Sequence, residues 1–342
     1  MKSPNSGGRP ADVEQGVDEF TVIDGLRRRF EAGAAGDGQG TGPPPGDTWI
    51  GDDAAVVTLG PGHQGLWATD LVIEGVHVDL GLCGLDDVGY KAVMVAASDL
   101  AAMGVLPQYA LLSIGAPPGT DVDRLGAGAA AAASEVGCTV VGGDLAGAPV
   151  LVVSVAVLAG MEPSAGPPPL LRTGARPGDR LLVTGPLGGS AAGLRLLRQG
   201  VGGGGAGGGS GERPGDAELV RAYRRPVARV REGEVARLSG ASAAIDISDG
   251  LVSEVRHLGE ASGVGIDLEV VPAVEGAMDA EALGGGEEYE LLVATPDPDR
   301  LVEAFRSAGL RTPVAIGQCT GRVDVYQRAG TALPVGGWRH RF

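Results

Sequence analysis

Aromatic side chains, histidine and cysteine are scarce in this chain, and each shortage excludes a class of protein. Aromatic residues make up only 4% of the 342 residues, so the core must be built mainly from Ala, Val, Leu and Ile. With four histidines, three cysteines and no CxxC pair, a zinc site is a poor candidate. Because Cys83, Cys138 and Cys319 are odd in number and widely spaced, a disulfide framework is not expected, which favours a reducing, cytoplasmic location.

The chain also lacks a long apolar run and an excess of positive charge. No apolar stretch approaches the roughly 18–20 residues that span a bilayer, and the N-terminal segment MKSPNSGGRPADVEQG has no apolar core of a secretory signal. The formal net charge of −16 argues against nucleic acid or an anionic membrane as a partner. An anionic small substrate is compatible with this charge, but metal ions rather than lysines would have to neutralise its phosphates.

What the sequence does contain is an alternation of short apolar strands and helices. This rhythm recurs in two halves separated by PPPL (Pro167–Leu170), which predicts an α/β or α+β fold with two domains. The predicted segments are a disordered tail at 1–18, an N-terminal domain at 19–165 and a C-terminal domain at 166–342. Two glycine-rich stretches, 32–48 and 200–215, are predicted to be flexible surface loops.

Five acidic clusters interrupt this pattern, and four of them are predicted at the ends of strands. Their sequences are GDDAAVV with Asp53, WATDLVIEGVH with Asp70, AASDLAAMG with Asp99, VVGGDLAG with Asp144, and IDISDGL with Asp246 and Asp249. Each alone is compatible with a turn residue or a helix cap. Asp99 fits that interpretation least, because it interrupts an apolar helix and needs either Lys91 or a cation as its partner. Together, carboxylates in small-residue turns suit Mg²⁺.

Phosphate-binding signals are few. The chain has no GxxxxGK[ST] sequence, so it is not a P-loop protein. The segment TGPLGGSAAG (Thr184–Gly193) predicts a strand, a glycine turn and the start of a helix, whose N-terminus could hold a phosphate. Glycines in such a turn more often serve only the turn, so both interpretations stay open.

In this order, the clusters resemble the thiamine-monophosphate kinase family, part of the superfamily that includes aminoimidazole ribonucleotide synthetase. The resemblance covers roughly Glu19–Phe342 and rests on GDDAAV, TDLVIEGVHV, YKAVMVAASDLAAMG, GGD, RTGARPGD, VTGPLGGSAAGL, YRRPVARV, IDISDGL and GGEEYEL. It implies N-terminal domains that pair as a homodimer into a β-barrel, and a C-terminal α/β sandwich. It also implies Mg²⁺-assisted transfer of the γ-phosphoryl group of ATP to the phosphate of thiamine monophosphate, giving thiamine diphosphate.

The resemblance assigns roles by position. The implied Mg²⁺ ligands are Asp53, Thr69, Asp70, Asp99, Asp144, Asp246 and Asp249. The implied nucleotide contacts are Gly143, Asp144, Arg172 and Ser248, and the implied substrate contacts are His77, Glu287 and Trp338. The chain departs from the family pattern at Ala68, where Ser or Thr is common, and at Glu288, where Asp is common. The second departure puts a role for Glu288 in question.

No general base is predicted, because a phosphate monoester with a second pKa of about 6 is already ionised at neutral pH. From the residues alone, Arg172 is as well explained as a surface turn residue, and His77 as a structural histidine at a strand end. Two other functions also stay open. One is another ATP-using enzyme of the superfamily with a different acceptor, and the other is a nucleotide-binding relative without turnover.

Overall fold

The computed structural model describes residues 45–162, 164, 166–201 and 213–337, together with Thr21, Ile23, Gly25, Arg27 and Arg28. Trp338, the predicted tail and most of the two glycine-rich stretches lie outside the described residues. The chain divides into two compact units, one of residues 43–338 and one of residues 1–42 and 339–342. The five described positions between 21 and 28 are helical. Among the described residues, no helix is long and apolar enough to cross a membrane.

A five-stranded sheet occupies the N-terminal half. Its strands are β1 (Ala55–Gly60), β2 (His63–Ile73), β3 (Tyr109–Ala116), β4 (Thr139–Gly147) and β5 (Val152–Met161), in the order β1-β2-β5-β3-β4. All neighbours are antiparallel except β3 and β4. On β2 and β5 every second residue is buried, including Leu66, Val72 and Val155, because helix α1 (Leu85–Ala102) packs on that face.

Helix α1 is buried around most of its circumference. It packs against helix α2 (Val122–Glu135) at two glycines, where a side chain would not fit. A Cβ atom on Gly89 would lie 2.0 Å from the carbonyl oxygen of Leu125, and one on Gly128 would lie 1.8 Å from that of Asp86. The helix also contacts elements of the C-terminal half, so it lies between the two sheets.

A seven-stranded sheet occupies the C-terminal half, in the order β12-β11-β8-β10-β6-β9-β7. Its strands are β6 (Arg180–Val183), β7 (Ala243–Asp246), β8 (Gly265–Leu268), β9 (Leu291–Thr295), β10 (Val314–Thr320), β11 (Tyr326–Arg328) and β12 (Thr331–Ala332). Its helices are α3 (Gly189–Arg198), α4 (Asp216–Arg224), α5 (Val230–Ser239), α6 (Leu251–Ser262), α7 (Asp279–Gly284) and α8 (Pro298–Ser307).

The central strands of this sheet are buried on both faces, which explains their continuous apolar sequences. On β7, Ala244 belongs to the core that includes α1, whereas Ala243 and Ile245 belong to a second core on the opposite face. Since side chains alternate along a strand, Asp246 points the same way as Ala244, toward α1. The register of β7 thus carries a carboxylate to the helix that holds Asp99.

The predicted mixed α/β fold is confirmed, with one sheet in each half. Two strand ends were predicted wrongly. Strand β2 does not end at Thr69 and Asp70 but continues to Ile73, because ten residues pair without interruption with β5. Asp144 likewise lies inside β4 and not at its end.

Candidate functional site

Three carboxylates from distant parts of the chain converge between the two sheets. Asp53 precedes β1, Asp99 lies on α1, and Asp246 is the last residue of β7. One carboxylate oxygen from each lies within 4.8 Å of one from both others. This spacing suits ligands that share a metal ion or two adjacent ions.

One oxygen of this cluster is left without a hydrogen bond. The Asp53 side chain is 1% exposed, and its Oδ1 accepts a hydrogen bond from Arg172 Nη2 at 2.6 Å. In the described part of the chain, Oδ2 of Asp53 is buried and has no hydrogen-bond partner. Since burial of an unpaired polar oxygen is unfavourable, this atom indicates a ligand that is cationic.

The carboxylates of the cluster disfavour each other's ionised form. Burial raises the pKa of Asp99 well above its usual range, and the nearby charges of Asp246, Asp70 and Asp53 raise it further. Burial and the charge of Asp53 also raise the pKa of Asp246, although Ser98 Oγ donates a hydrogen bond to Asp246 Oδ2 at 2.7 Å. A divalent cation would reverse this balance and stabilise the ionised carboxylates.

Lys91 is not the partner of Asp99. Its ammonium lies 3.0 Å from Glu287 Oε2, so the predicted alternative of a salt bridge to Asp99 is wrong. The reason is helical geometry. Lys91 and Asp99 are eight residues apart on α1, which separates them by about 12 Å along the axis.

Arg172 belongs to the cluster and is not a surface turn residue. Its backbone N–H donates to Asp52 Oδ2 at 3.0 Å, and its guanidinium pairs with Asp53. The neighbouring carboxylates, Asp53 first, raise the pKa of Arg172 despite its burial. Burial and Asp53 in turn raise the pKa of Asp52 to about 6. Arg172 is thus the cation that offsets part of the negative charge here.

The turn of IDISDGL is fixed by backbone contacts on both sides. The N–H of Asp249 donates to Glu254 Oε1 at 3.1 Å, and Glu254 Oε2 lies 2.9 Å from His257 Nδ1. The N–H of Glu287 donates to the carbonyl of Ser248 at 2.6 Å, which places Glu287 beside the turn. Helix α6 has Gly250 at its N-cap and no side-chain cap, so the alternative of Asp249 as a helix cap is wrong.

Asp70 and Thr69 point to opposite faces of β2. Asp70 shares its face with the buried Leu66 and Val72 and is one of the charges that raise the pKa of Asp99. Thr69 is exposed on the other face. The structure therefore brings the Asp70 side chain near the cluster, and it leaves only the backbone of Thr69 there.

Gly143 and Asp144 lie away from the three-carboxylate cluster. Strand β4 is three strands from β2, a separation of roughly 14 Å. The register of the sheet places Asp144 in line with Ser113, Ser154 and Leu71, on the open face opposite α1. A Cβ atom at Gly143 would lie 1.8 Å from the carbonyl oxygen of Leu112, so this position admits only glycine. Both residues line a shallow groove of about 560 Å³, with Leu112, Ile114, Val122, Val140, Gly142 and Leu145.

His77 follows β2 in a tight turn. Its Nδ1 accepts a hydrogen bond from the N–H of Ile73 at 3.1 Å, so a neutral ring carries its proton on Nε2. Both interpretations of His77, a substrate contact and a structural histidine at a strand end, are compatible with this geometry. Trp338 lies outside the described residues.

Glu288 has a structural explanation. Its carboxylate accepts the N–H groups of Gly189 and Ser190, both at 3.2 Å, at the start of α3. Burial raises its pKa to about 8. In this structure the chain's own carboxylate lies at the helix N-terminus in Thr184–Gly193, so the turn interpretation of that segment is favoured over a phosphate site.

Sequence reasoning missed the residues that hold the cluster in place. No role was assigned to Ser98, to Glu254 or to the backbone N–H of Arg172, which donates to Asp52. Ser98 was detectable, because it lies seven residues after Lys91 and so on the same face of α1. Glu254 was not, since it depends on the path of the chain after Gly250.

Two family models match the chain in succession. The model described as AIR synthase related protein, N-terminal domain, matches residues 51–161, and the C-terminal domain model matches residues 176–327. The thiamine-monophosphate kinase of Mycobacterium tuberculosis is 35% identical over 300 residues, which are 83% of this chain and 82% of that protein. That of Aquifex aeolicus is 36% identical over 293 residues, 81% of this chain and 86% of that protein.

Solved structures agree with these matches. A structure described as AaThiL complexed with AMPPCP and TMP has a TM-score of 0.77 and 29% identity, and it covers 94% of this chain and 97% of that one. The hydrogenase maturation protein HypE of E. coli, at 20% identity and a TM-score of 0.58 over 81% of this chain and 84% of that one, shares the fold alone. From its sequence identity and the extent of the match, the chain belongs to the thiamine-monophosphate kinase family.

Proposed function

We propose that this chain transfers the γ-phosphoryl group of ATP to the phosphate of thiamine monophosphate and so forms thiamine diphosphate. The observation that carries the proposal is the cluster of Asp53, Asp99 and Asp246, with a buried oxygen of Asp53 that lacks a partner among the described residues. Such a cluster suits the metal ions that two approaching phosphates need. The related structure described as complexed with AMPPCP and TMP supports both substrates.

The residues present fit Mg²⁺. Asp53, Asp99 and Asp246 would hold it, and Asp70, Asp249 and the backbone of Thr69 are proposed as further ligands beside the cluster. Asp144 is proposed as a ligand of a metal ion on the nucleotide side, away from the cluster. Bound Mg²⁺ supplies neutralisation and alignment of phosphate oxygens in phosphoryl transfer. The chain itself supplies orientation, because Arg172 fixes Oδ1 of Asp53 and Ser98 fixes Oδ2 of Asp246.

Each remaining site residue is assigned to the substrate, ATP or thiamine monophosphate, whose charge it suits. Arg172, 24% exposed, has a guanidinium that can also meet the triphosphate of ATP. Gly143, Asp144 and Ser248 are proposed on the nucleotide side, and His77, Glu287 and Trp338 on the thiamine side. No side chain is needed as a general base, since the acceptor phosphate oxygen is ionised at neutral pH.

We further propose that two copies pair through the open face of the five-stranded sheet to form the predicted β-barrel. Trp67, Leu71, Tyr109 and Leu111 are 46–51% exposed on that face, a large apolar area for a monomer. Sedimentation should show a dimer, and Leu71→Glu should shift it toward monomer. A wild-type monomer at micromolar concentration would contradict this proposal.

The N-terminal domain is proposed to end near residue 165, between the two family matches. A cytoplasmic location is proposed on the strength of Cys83, Cys138 and Cys319, which are all buried and unpaired with each other. Localisation of a tagged chain in a bacterial host would test the cytoplasmic location, and recovery from the periplasm would contradict it.

The activity is tested by incubating the purified chain with ATP, Mg²⁺ and a panel of acceptors, and by separating the products chromatographically. Thiamine diphosphate should form with thiamine monophosphate, and not when Mg²⁺ is chelated. Turnover of a different acceptor, such as formylglycinamidine ribonucleotide, would favour another enzyme of the superfamily. Nucleotide binding without any phosphoryl transfer would favour the non-catalytic relative.

A further inference from the structure

Lys91 is an unusual residue for this chain. Of the 27 basic residues only Lys2 and Lys91 are lysines, and Lys91 is 0% exposed. A buried ammonium is unfavourable unless it is paired, and Lys91 has two partners. Its Nζ lies 3.0 Å from Glu287 Oε2 and 4.3 Å from the centre of the Tyr223 ring. Lys91 on α1 thus meets α4 and the segment before β9.

Glu287, by contrast, is open to a ligand. Its side chain is 27% exposed, and in the described part of the chain its Oε1 accepts no hydrogen bond. Its backbone has a positive φ of 62°, which is unfavourable for a residue with a Cβ atom. The hydrogen bond from its N–H to Ser248 and the ion pair with Lys91 hold it in this conformation.

Helix α1 supports both Glu287 and the three-carboxylate cluster. Lys91 and Ser98 are seven residues apart, so they lie on one face of α1 and about 10.5 Å apart along its axis. Lys91 holds Glu287, and Ser98 holds Asp246 of the cluster. One rigid helix therefore carries the supports of both ends of the proposed site.

We propose that Lys91 is a positioning residue for thiamine monophosphate, which holds Oε2 of Glu287 so that Oε1 binds the cationic organic part of the substrate. This inference rests on the proposed function. A carboxylate repels a phosphate and attracts the positively charged thiazolium ring, so Glu287 suits the organic end. The three-carboxylate cluster suits the phosphate end, and α1 carries the residues that hold both ends of the proposed site.

Steady-state kinetics of Lys91→Met test the inference. The KM for thiamine monophosphate should rise about 10-fold or more, as expected when a charged hydrogen-bonding group is displaced. The KM for ATP should change less than about 3-fold, since Glu287 does not meet the nucleotide in the proposal. Glu287 retains water access, so the variant should fold, which its thermal unfolding midpoint would verify.

Two further variants separate positioning from general stability. In a Glu287→Gln background, Lys91→Met should add little to the KM, because both changes remove the same interaction. Arg225→Met removes another ion pair of α1, with Asp86 and Asp87, and should leave both KM values unchanged. Independent, multiplying effects of Lys91→Met and Glu287→Gln would overturn the inference, as would equal increases in both KM values.

A spectroscopic measurement reads Lys91 directly. In a Lys2→Arg variant labelled with ε-¹³C lysine, Lys91 gives the single lysine signal. Thiamine should shift that signal in the absence of nucleotide, and inorganic phosphate should not. If the protein turns over thiamine monophosphate but the signal does not change at saturating substrate, the role of Lys91 is overturned and the proposed function stands. Absence of turnover by the wild type overturns the proposed function and this inference with it.

Discussion

Two sites with buried carboxylates, Glu290 next to β9 of the C-terminal sheet and the three-carboxylate cluster between the two sheets, are neutralised in opposite ways. Glu290, 5% exposed, accepts hydrogen bonds from Arg229 at 2.7 Å and from Thr184 Oγ1 at 2.6 Å, and it also pairs with Arg311. Here two guanidinium groups surround one carboxylate. At the three-carboxylate cluster the proportion is reversed, because within the described residues three carboxylates share one guanidinium, that of Arg172.

The difference separates a structural group from a binding site. Around Glu290 every oxygen has a partner, so the group is complete without a ligand. In the cluster, Oδ2 of Asp53 has none within the described residues, and burial together with like charges raises the pKa of Asp99. The missing positive charge is what a metal ion would supply, and so the same functional group, a buried carboxylate, stabilises the fold in one region and awaits a ligand in the other.

The largest effect is expected from Asp99→Asn, which removes a charge from the cluster. Turnover should fall by about 100-fold or more, since a metal ligand of the phosphoryl-transfer site is lost. In the presence of a chelator, however, the variant should be more stable than the wild type at pH 8. The folded-state pKa of Asp99 is raised, so its ionisation destabilises the folded protein increasingly as pH rises above the value of about 4 in the unfolded chain.

Activity and thermal unfolding, each with Mg²⁺ and with chelator, check this prediction. Asp279→Asn is the matched control, because Asp279 is 65% exposed and paired with Arg328. It should change neither property appreciably. Near-normal turnover by Asp99→Asn, or a loss of stability in chelator, would refute the assignment of Asp99 to the metal site.

Glu290→Gln should produce the reverse pattern. It leaves Arg229 and Arg311 without their anion, and loss of one member of a buried ion pair lowers the free energy of unfolding by about 3–5 kcal/mol. Both KM values of the folded fraction should remain close to those of the wild type. Urea unfolding followed by tryptophan fluorescence measures the change, and a variant as stable as the wild type would show that Glu290 is not a structural centre.

The sequence identified the acidic clusters, but it did not show which of them meet. Asp53, Asp144 and Asp246 were grouped with the helical Asp99 because they stand in small-residue turns at predicted strand ends. That shared form does not specify a face of the sheet, and the pairing of β4 at the sheet edge puts Asp144 on another face. Strands β10, β11 and β12 were not predicted at all, since β10 is interrupted by Gly317 and a register shift, and β11 and β12 have only three and two residues.

A smaller effect is expected from Ser98→Ala, which weakens the cluster without removing a ligand. Its hydroxyl supports the ionised form of Asp246, so the variant should bind Mg²⁺ less tightly. The Mg²⁺ concentration for half-maximal activity should rise about 10-fold, as for other residues that orient metal ligands. Titration of activity with Mg²⁺ measures this, with Ser307→Ala on the exposed end of α8 as control, and an unchanged midpoint would assign Ser98 to packing alone.

Glu288 is intermediate between the two sites, because in the described part of the chain backbone N–H groups and no cation stabilise its carboxylate. Its pKa of about 8 in the folded chain exceeds 4.5, so between these values the folded state binds more protons than the unfolded state. The free energy of unfolding should therefore decrease as pH rises from about 5 to 8. Glu288→Gln keeps an acceptor oxygen and cannot ionise, so its free energy of unfolding should decrease less over this range. Parallel curves for the two proteins would show that Glu288 ionises normally, and that a helix N-terminus alone can neutralise a buried carboxylate.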